Sequence, residues 1–119
     1  QLEAAVSAGG SSDRDGFVSL LRQLVAGLEE HFDFEEQGGL FQDLASSNAS
    51  LDRIVKRLFQ QHVTLRADFR SVLGLADQDK SIDEIGTPLR AAMSALREHE
   101  QQETDFVQEA LNRDTGAAD

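Results

Sequence analysis

Apolar side chains recur every three or four residues along most of the chain, which is the spacing of an amphipathic helix. No stretch shows the sustained alternation of apolar and polar residues that would predict a strand. Turn-forming residues separate the helical stretches at Gly9-Gly10, at Gly38-Gly39, at Ser46-Ser47-Asn48 and between Asp77 and Pro88. The pattern therefore predicts an all-α fold.

The turn-forming residues divide the chain into three long helices and a short stub. We predict helices over residues 13–46, 50–76 and 87–112, and we interpret residues 1–8 as the end of a preceding helix. The Gly38-Gly39 pair is expected to kink or end the first long helix. Thr87 is a good N-cap for the last helix, because Pro88 then takes the first helical position, where a missing N–H costs nothing.

Each predicted helix has an apolar stripe that needs covering. We therefore predict an up-down four-helix bundle that forms one domain over residues 1–119, with its first helix largely absent from this chain. The acidic side chains before the last helix are expected to lie on a solvated connector; these are Asp77, Asp79, Asp83 and Glu84.

The charge of the chain narrows the classes of partner. The 119 residues carry 11 basic and 22 acidic side chains, a formal net charge of −11, so we expect neither nucleic-acid nor membrane binding.

Without a signal-peptide pattern or an apolar run long enough to span a bilayer, we expect a cytoplasmic protein. The absence of cysteine excludes thiolate metal ligands. Gln1 is not an initiator, so we interpret the chain as part of a longer polypeptide.

Five side chains with metal-binding chemistry fall on the predicted inward stripes. The motif Leu-x-x-His-x-x-x-Glu occurs twice, at residues 28–35 and 96–103, and positions four residues apart share a helix face. A third histidine comes from the helix between the two copies. Counted from the predicted helix ends, all five side chains lie at the same height to within about one turn. The candidate ligands are His31, Glu35, His62, His99 and Glu103.

The alternative is a purely structural role for these residues. A single histidine on an apolar stripe is more often a hydrogen-bonded core residue than a ligand. Two buried glutamates are costly without a compensating cation, and Arg66, one turn after His62, is the structural candidate for that cation. A single guanidinium would compensate poorly for two buried carboxylates among three imidazoles, and this favours a metal ion as the cation. Glu36 and Glu100 are placed on flanking or solvent faces.

Imidazole and carboxylate ligands without thiolate suit iron, manganese or zinc. Two helices that each supply a histidine and a glutamate favour a two-metal site, since carboxylates can bridge two ions.

Three motifs of the chain resemble those of the hemerythrin-like, or HHE cation-binding, domains. They are HFDFEE at residues 31–36 with Leu40-Phe41 after it, LFQQHVTL at residues 58–65, and LREHEQQE at residues 96–103. The resemblance spans residues 13–111 and implies a four-helix bundle that holds a non-haem di-iron centre. It also implies roles for the candidate ligands, with His31, His62 and His99 as terminal ligands and Glu35 and Glu103 as bridging carboxylates.

Two positions depart from the family pattern. The chain has no histidine before His31, although the family's first helix carries one, and Arg66 stands where many members have a second histidine after His62. The resemblance implies two iron ions, with zinc or manganese as substitutes. It further implies a domain that binds or senses O2 or a related oxidant, or handles iron, and that is not an enzyme.

The alternative function is a helical interaction module, or a homodimer, with a degenerate or empty metal site. Such a chain would self-associate through the face that the missing first helix leaves uncovered, because a long apolar face is rarely left in water.

Overall fold

A computed structural model of the protein describes residues 14–46 and 48–117. Across these residues the chain forms four helices and no strand, so the predicted all-α fold is confirmed. The helices are α1 (Arg14–Gly38), α2 (Leu40–Ala45), α3 (Ala49–Asp77) and α4 (Ile82–Ala117). The helical stub predicted over residues 1–8 lies outside the described residues. None of the helices in the described ranges is sufficiently long and apolar to cross a membrane.

The three long helices alternate in direction. At the start of α1, the guanidinium of Arg14 donates to the carbonyl of Ala76, near the end of α3, over 2.8 Å. Along the neighbouring pair, Gln61 of α3 donates to Gln102 of α4 over 2.8 Å, and these helices are joined by residues 78–81 alone. The result is the up-down arrangement expected for helices with short connections.

In the part of the chain that the structure describes, two apolar clusters fill the interior and leave a polar layer between them. Along α3, buried residues between 51 and 58 belong to the second cluster, and buried residues between 65 and 76 belong to the first cluster. His62 lies between these two groups. Along α4 the order is reversed, and His99 and Glu103 lie between the clusters. The buried members of the first cluster are Phe17, Leu21, Val25, Phe32, Leu65, Phe69, Val72, Ala76, Ile82, Ile85, Leu89, Ala92 and Leu96. Those of the second cluster are Phe41, Ala45, Leu51, Val55, Leu58, Phe106 and Ala110.

The predicted helix over residues 13–46 is two helices, α1 and α2, with the break at Gly39. Gly39 has φ 82° and ψ −7°, a left-handed conformation that glycine adopts without steric cost. The chain then turns so that α2 can pack against α3 and α4 at the level of the second cluster.

Gly39→Ala is expected to destabilise the fold by about 1 kcal/mol, because an alanine at positive φ brings its Cβ close to the following carbonyl oxygen. Gly38→Ala is the matched control, since Gly38 ends α1 in the ordinary range of φ and a Cβ at either position meets no described residue within 4 Å. The control should be neutral or slightly stabilising. Urea unfolding of the two variants measures the difference, and equal stabilities would contradict the argument.

The last helix begins earlier than predicted. α4 begins at Ile82, not at residue 87, because Ser81 and Glu84 form a reciprocal capping box. The N–H of Glu84 donates to Ser81 Oγ over 3.1 Å, and the N–H of Ser81 donates to Glu84 Oε1 over 3.2 Å. These bonds to Ser81 lower the pKa of Glu84. Asp83 and Glu84 therefore belong to the first turn of α4 and not to the connector, and Pro88 lies inside the helix.

Candidate metal centre

Four of the five predicted ligands meet in the polar layer. Glu35 comes from α1, His62 from α3, and His99 and Glu103 from α4, and one ligand atom of each lies within 4.8 Å of the others. The imidazoles are almost completely buried, with 0% exposure for His62 and 2% for His99. We call this group of four the inner cluster.

The atoms that face one another in the inner cluster lie within ion-pair distance but do not form hydrogen bonds. Among the described residues, no hydrogen-bond partner is found for Glu35 Oε1, His62 Nε2, His99 Nε2 or Glu103 Oε2, all of which are buried. Burying polar atoms in this way costs free energy unless another group compensates. A cation at their centre would satisfy all four atoms at once.

The spacing of these atoms suits a single ion. His62 Nε2 lies 3.2 Å from Glu35 Oε1 and 3.5 Å from Glu103 Oε2. His99 Nε2 lies 3.0 Å from the same oxygen of Glu103. An ion with ligand bonds of about 2.1 Å in a tetrahedral arrangement separates its ligand atoms by about 3.4 Å. These three distances therefore match the spacing of the ligand atoms around a metal ion.

His31 lies outside the inner cluster. Its side chain is 53% exposed, and its Nε2 lies 3.3 Å from Glu35 Oε2. The prediction that His31 lies on the inward stripe of its helix is wrong, because Phe32 occupies the core position instead, with 1% exposure. Glu35 consequently has one oxygen directed at the inner cluster and the other at His31.

Three carboxylates surround the imidazole of His62. Burial by itself would lower the pKa of His62, but its contacts with Glu103, Glu35 and Glu36 outweigh burial and raise the pKa to about 9. Burial by itself would raise the pKa of Glu103, but its contacts with His62 and His99 hold that pKa well below the ordinary value. In the absence of metal, a proton on His62 therefore supplies positive charge that a bound cation would replace.

Comparison with known proteins agrees with this geometry. The chain matches the family model of the hemerythrin HHE cation-binding domain over residues 1–110. The chain belongs to the hemerythrin HHE family. Neither the curated proteins nor the solved structures include a significant match. Membership of the HHE family and the buried, unpartnered ligand atoms both indicate cation binding.

The outer nitrogen of each imidazole in this HHE domain is also engaged. His62 Nδ1 lies 2.6 Å from Glu36 Oε2, and His99 Nδ1 lies 2.6 Å from Gln61 Oε1. A carboxylate or amide oxygen accepts a hydrogen bond, so Nδ1 carries the proton on both rings. Each Nε2 is then the nitrogen directed at the inner cluster, which is the tautomer a metal ligand needs.

Glu36 and Arg66 contact each other beside the inner cluster, a pairing that was not predicted. Glu36 was expected on a flanking or solvent face, but it contacts the buried His62. Arg66 was the structural alternative as a partner for Glu35 or Glu103, but its guanidinium donates to Glu36 and to Asp33. The guanidinium therefore does not take the place of a cation in the inner cluster.

Sequence reasoning missed Glu36 and Gln61. A usable signal existed for Glu36, which follows Phe32 by four residues and so shares the face of a buried aromatic side chain. No comparable signal existed for Gln61, which precedes His62 directly on α3 but contacts His99 on another helix. That contact depends on how α3 and α4 face each other.

Proposed function

We propose that this HHE domain binds two non-haem iron ions through His31, Glu35, His62, His99 and Glu103, with both glutamates as bridging carboxylates. The observation that carries the proposal is the set of four buried ligand atoms without hydrogen-bond partners. Imidazole and carboxylate ligands suit iron, and they also accept zinc or manganese. When bound, iron would supply reversible binding of O2 or a related oxidant. The proposed output is therefore sensing, oxygen binding or iron handling, and not catalysis on an organic substrate.

The contacts support two unequal metal positions. The inner position is the centre of the inner cluster, which offers four protein ligand atoms in a buried layer. The outer position would lie between His31 Nε2 and Glu35 Oε2, which are 3.3 Å apart, and Glu103 as the second bridge would add its other carboxylate oxygen there. Because the His31 side chain is about half exposed, the outer position is open to water and small molecules. We expect the inner position to fill first and the outer position to bind more weakly.

The metal content of His31→Ala tests this assignment. We expect the wild-type protein to bind two ions per chain and the variant to keep one, since His31 contributes only to the outer position. Anaerobic titration with Fe²⁺, followed by desalting and elemental analysis, measures the stoichiometry. The variant should fold normally, because the replaced side chain is exposed. Retention of both ions, or the loss of both, would contradict the division into an inner and an outer position.

Binding at the inner position should release a proton near neutral pH. His62 must lose the proton on Nε2 to become a ligand, and its pKa of about 9 keeps that proton in place at pH 7. We therefore expect the affinity for the first ion to fall about tenfold for each pH unit below the pKa. Calorimetric titration with Zn²⁺ at pH 7, in buffers of different ionisation enthalpy, should count about one proton released per first ion.

The same pKa shift has a consequence for the metal-free protein. Because the pKa of His62 is higher in the folded than in the unfolded chain, protonated His62 stabilises the fold. This contribution is fully present below pH 6.5 and is lost as the pH rises through about 9. His31→Ala should keep both pH dependences, whereas a pH-independent affinity between pH 6.5 and 9 would show that the ion does not displace a proton from His62.

A partly exposed leucine row on α1 favours one competing function, an interaction module with an empty metal site. Leu24 and Leu28 are half-buried, and Leu20 on the same side of the helix is 37% exposed. Self-association through this side stays a prediction, and sedimentation of the metal-free protein measures it. A protein that contains no iron after purification, and that is unchanged by chelation, would favour this function over metal binding.

A further inference from the structure

We propose that Glu36 and Arg66 form a positioning pair that fixes the tautomer and orientation of His62, and thereby determines how tightly the inner position holds its ion. This inference rests on the proposed metal site. Neither residue reaches the centre of the inner cluster, so both would act through His62 and not as ligands.

The His62 ring is held by two stacked phenylalanine rings and by a carboxylate at its outer nitrogen. The ring of Phe32 stacks on it with the centroids 4.1 Å apart and the planes 12° apart, and Phe59 stacks with a centroid distance of 5.4 Å. These aromatic contacts limit the tilt of the imidazole but do not determine which nitrogen faces the inner cluster. The Glu36 carboxylate does, because it accepts from Nδ1 over 2.6 Å and leaves Nε2 directed inward.

Glu36 needs an anchor to hold this position. Its side chain is 32% exposed, so the carboxylate would otherwise be able to turn towards water. Arg66 supplies the anchor, since its Nη1 lies 3.1 Å from Glu36 Oε2, the oxygen that also contacts His62. The guanidinium is itself held by Asp33 Oδ1 at 2.6 Å, and it lies over the Phe32 ring at 5.5 Å. The side chain of Arg66 is accordingly only 17% exposed.

The second imidazole of the inner cluster has a different kind of support. His99 is held by the neutral amide of Gln61, which in turn donates to Gln102. A carboxylate that accepts from an imidazole N–H makes the opposite nitrogen a stronger ligand than a neutral amide does. The two buried histidines are therefore unequal, and His62 is the one whose strength as a ligand depends on outlying charges.

Co²⁺ titration of variants tests the positioning pair. Glu36→Gln removes the charge but keeps an acceptor oxygen, and it should weaken Co²⁺ binding by about 10- to 100-fold. Arg66→Gln should also weaken binding, by about tenfold. This second result is the decisive one, because removing a positive charge near a cation site would by electrostatics alone strengthen binding. Arg70→Gln is the matched control, since Arg70 lies one turn further along α3 and pairs with Glu29 at a more exposed position.

The visible absorption of bound Co²⁺ gives a second readout, because it responds to the geometry and strength of the ligands and not to fold stability. We expect the spectrum to change in Glu36→Gln and Arg66→Gln and to be unchanged in Arg70→Gln. If Arg66→Gln does not fold, Arg66→Lys keeps the charge without the planar fork and should give a smaller loss of affinity in the same direction. Wild-type affinity and spectrum in the Glu36 and Arg66 variants would overturn this inference alone. Failure of the wild-type protein to bind Co²⁺, Zn²⁺ or Fe²⁺ would instead overturn the proposed function and this inference with it.

Discussion

Glu103→Gln is expected to lower the affinity for the first metal ion by more than about 100-fold, beyond the range typical of residues that only support a ligand. Glu103 Oε2 is the atom of the inner cluster that contacts both buried imidazoles, at 3.0 Å from His99 Nε2 and 3.5 Å from His62 Nε2. The amide oxygen of a glutamine at this position is a weaker metal ligand than a carboxylate oxygen, and it lacks the negative charge that attracts a cation.

Absorption spectroscopy suits this measurement, because the chain has no tryptophan, tyrosine or cysteine to absorb in the near ultraviolet. Aerobic loading with iron should produce a near-ultraviolet charge-transfer band in the wild-type protein, and the band should be absent from Glu103→Gln. Glu100→Gln is the matched control, since Glu100 lies on the same helix with an exposed side chain. A band and a stoichiometry that survive Glu103→Gln would show that Glu103 is not a ligand.

Glu103→Leu tests how much Glu103 stabilises the metal-free fold. Against the effect of burial, its contacts with His62 and His99 hold the pKa of Glu103 below its ordinary value, so the ionised carboxylate favours the folded chain at neutral pH. Since removing one partner of a buried ion pair is destabilising, we expect the metal-free variant to be less stable than the metal-free wild type. Urea unfolding at pH 7 in the presence of a chelator measures this comparison. Equal stability of the two proteins would show that the cost of burying the carboxylate cancels its contacts with the imidazoles.

Metal binding should raise the stability of the wild-type fold by about 4 kcal/mol when the free ion is at roughly 1,000 times its dissociation constant. The inner position is assembled from three helices, so its ligands come together only in the folded chain and the binding free energy adds to the folding free energy. For a domain of this size the gain corresponds to an increase in Tm of roughly 15 °C.

Thermal unfolding followed by circular dichroism, with and without Zn²⁺, measures this increase. A chelator should return the wild-type protein to its metal-free Tm. Glu103→Gln should show little response to Zn²⁺, and His31→Ala should keep most of it, because the inner position remains. Bound metal without an increase in Tm would mean that the ion binds the unfolded chain equally well.

Much of the site was predictable because two physical rules act locally. Residues four apart share a helix face, which places Glu103 beside His99 without knowledge of the fold. The cost of burying a carboxylate then excludes an ordinary core role for a glutamate on an apolar stripe. The start of α4 could also have been predicted from the local sequence, since Ser81 and Glu84 have the spacing of a capping box. Pro88 gave a competing signal, because proline is typical of the first position of a helix. The helix begins at Ile82 and continues through Pro88, although a proline inside a helix removes one hydrogen bond and crowds the preceding turn.

The tertiary structure decided which side of α1 faces the core. Two stripes on this helix have suitable spacing, one through Leu28 and His31 and the other through Val25 and Phe32, and the second is the buried one. The tertiary structure likewise decided that Glu36 contacts His62 and that Gln61 contacts His99. Helical periodicity determines which residues share a face, and so the sequence by itself determined most of each long helix and the pairing of His99 with Glu103 on one face. It does not determine the rotation of one helix against its neighbours, since that depends on packing across the whole interface.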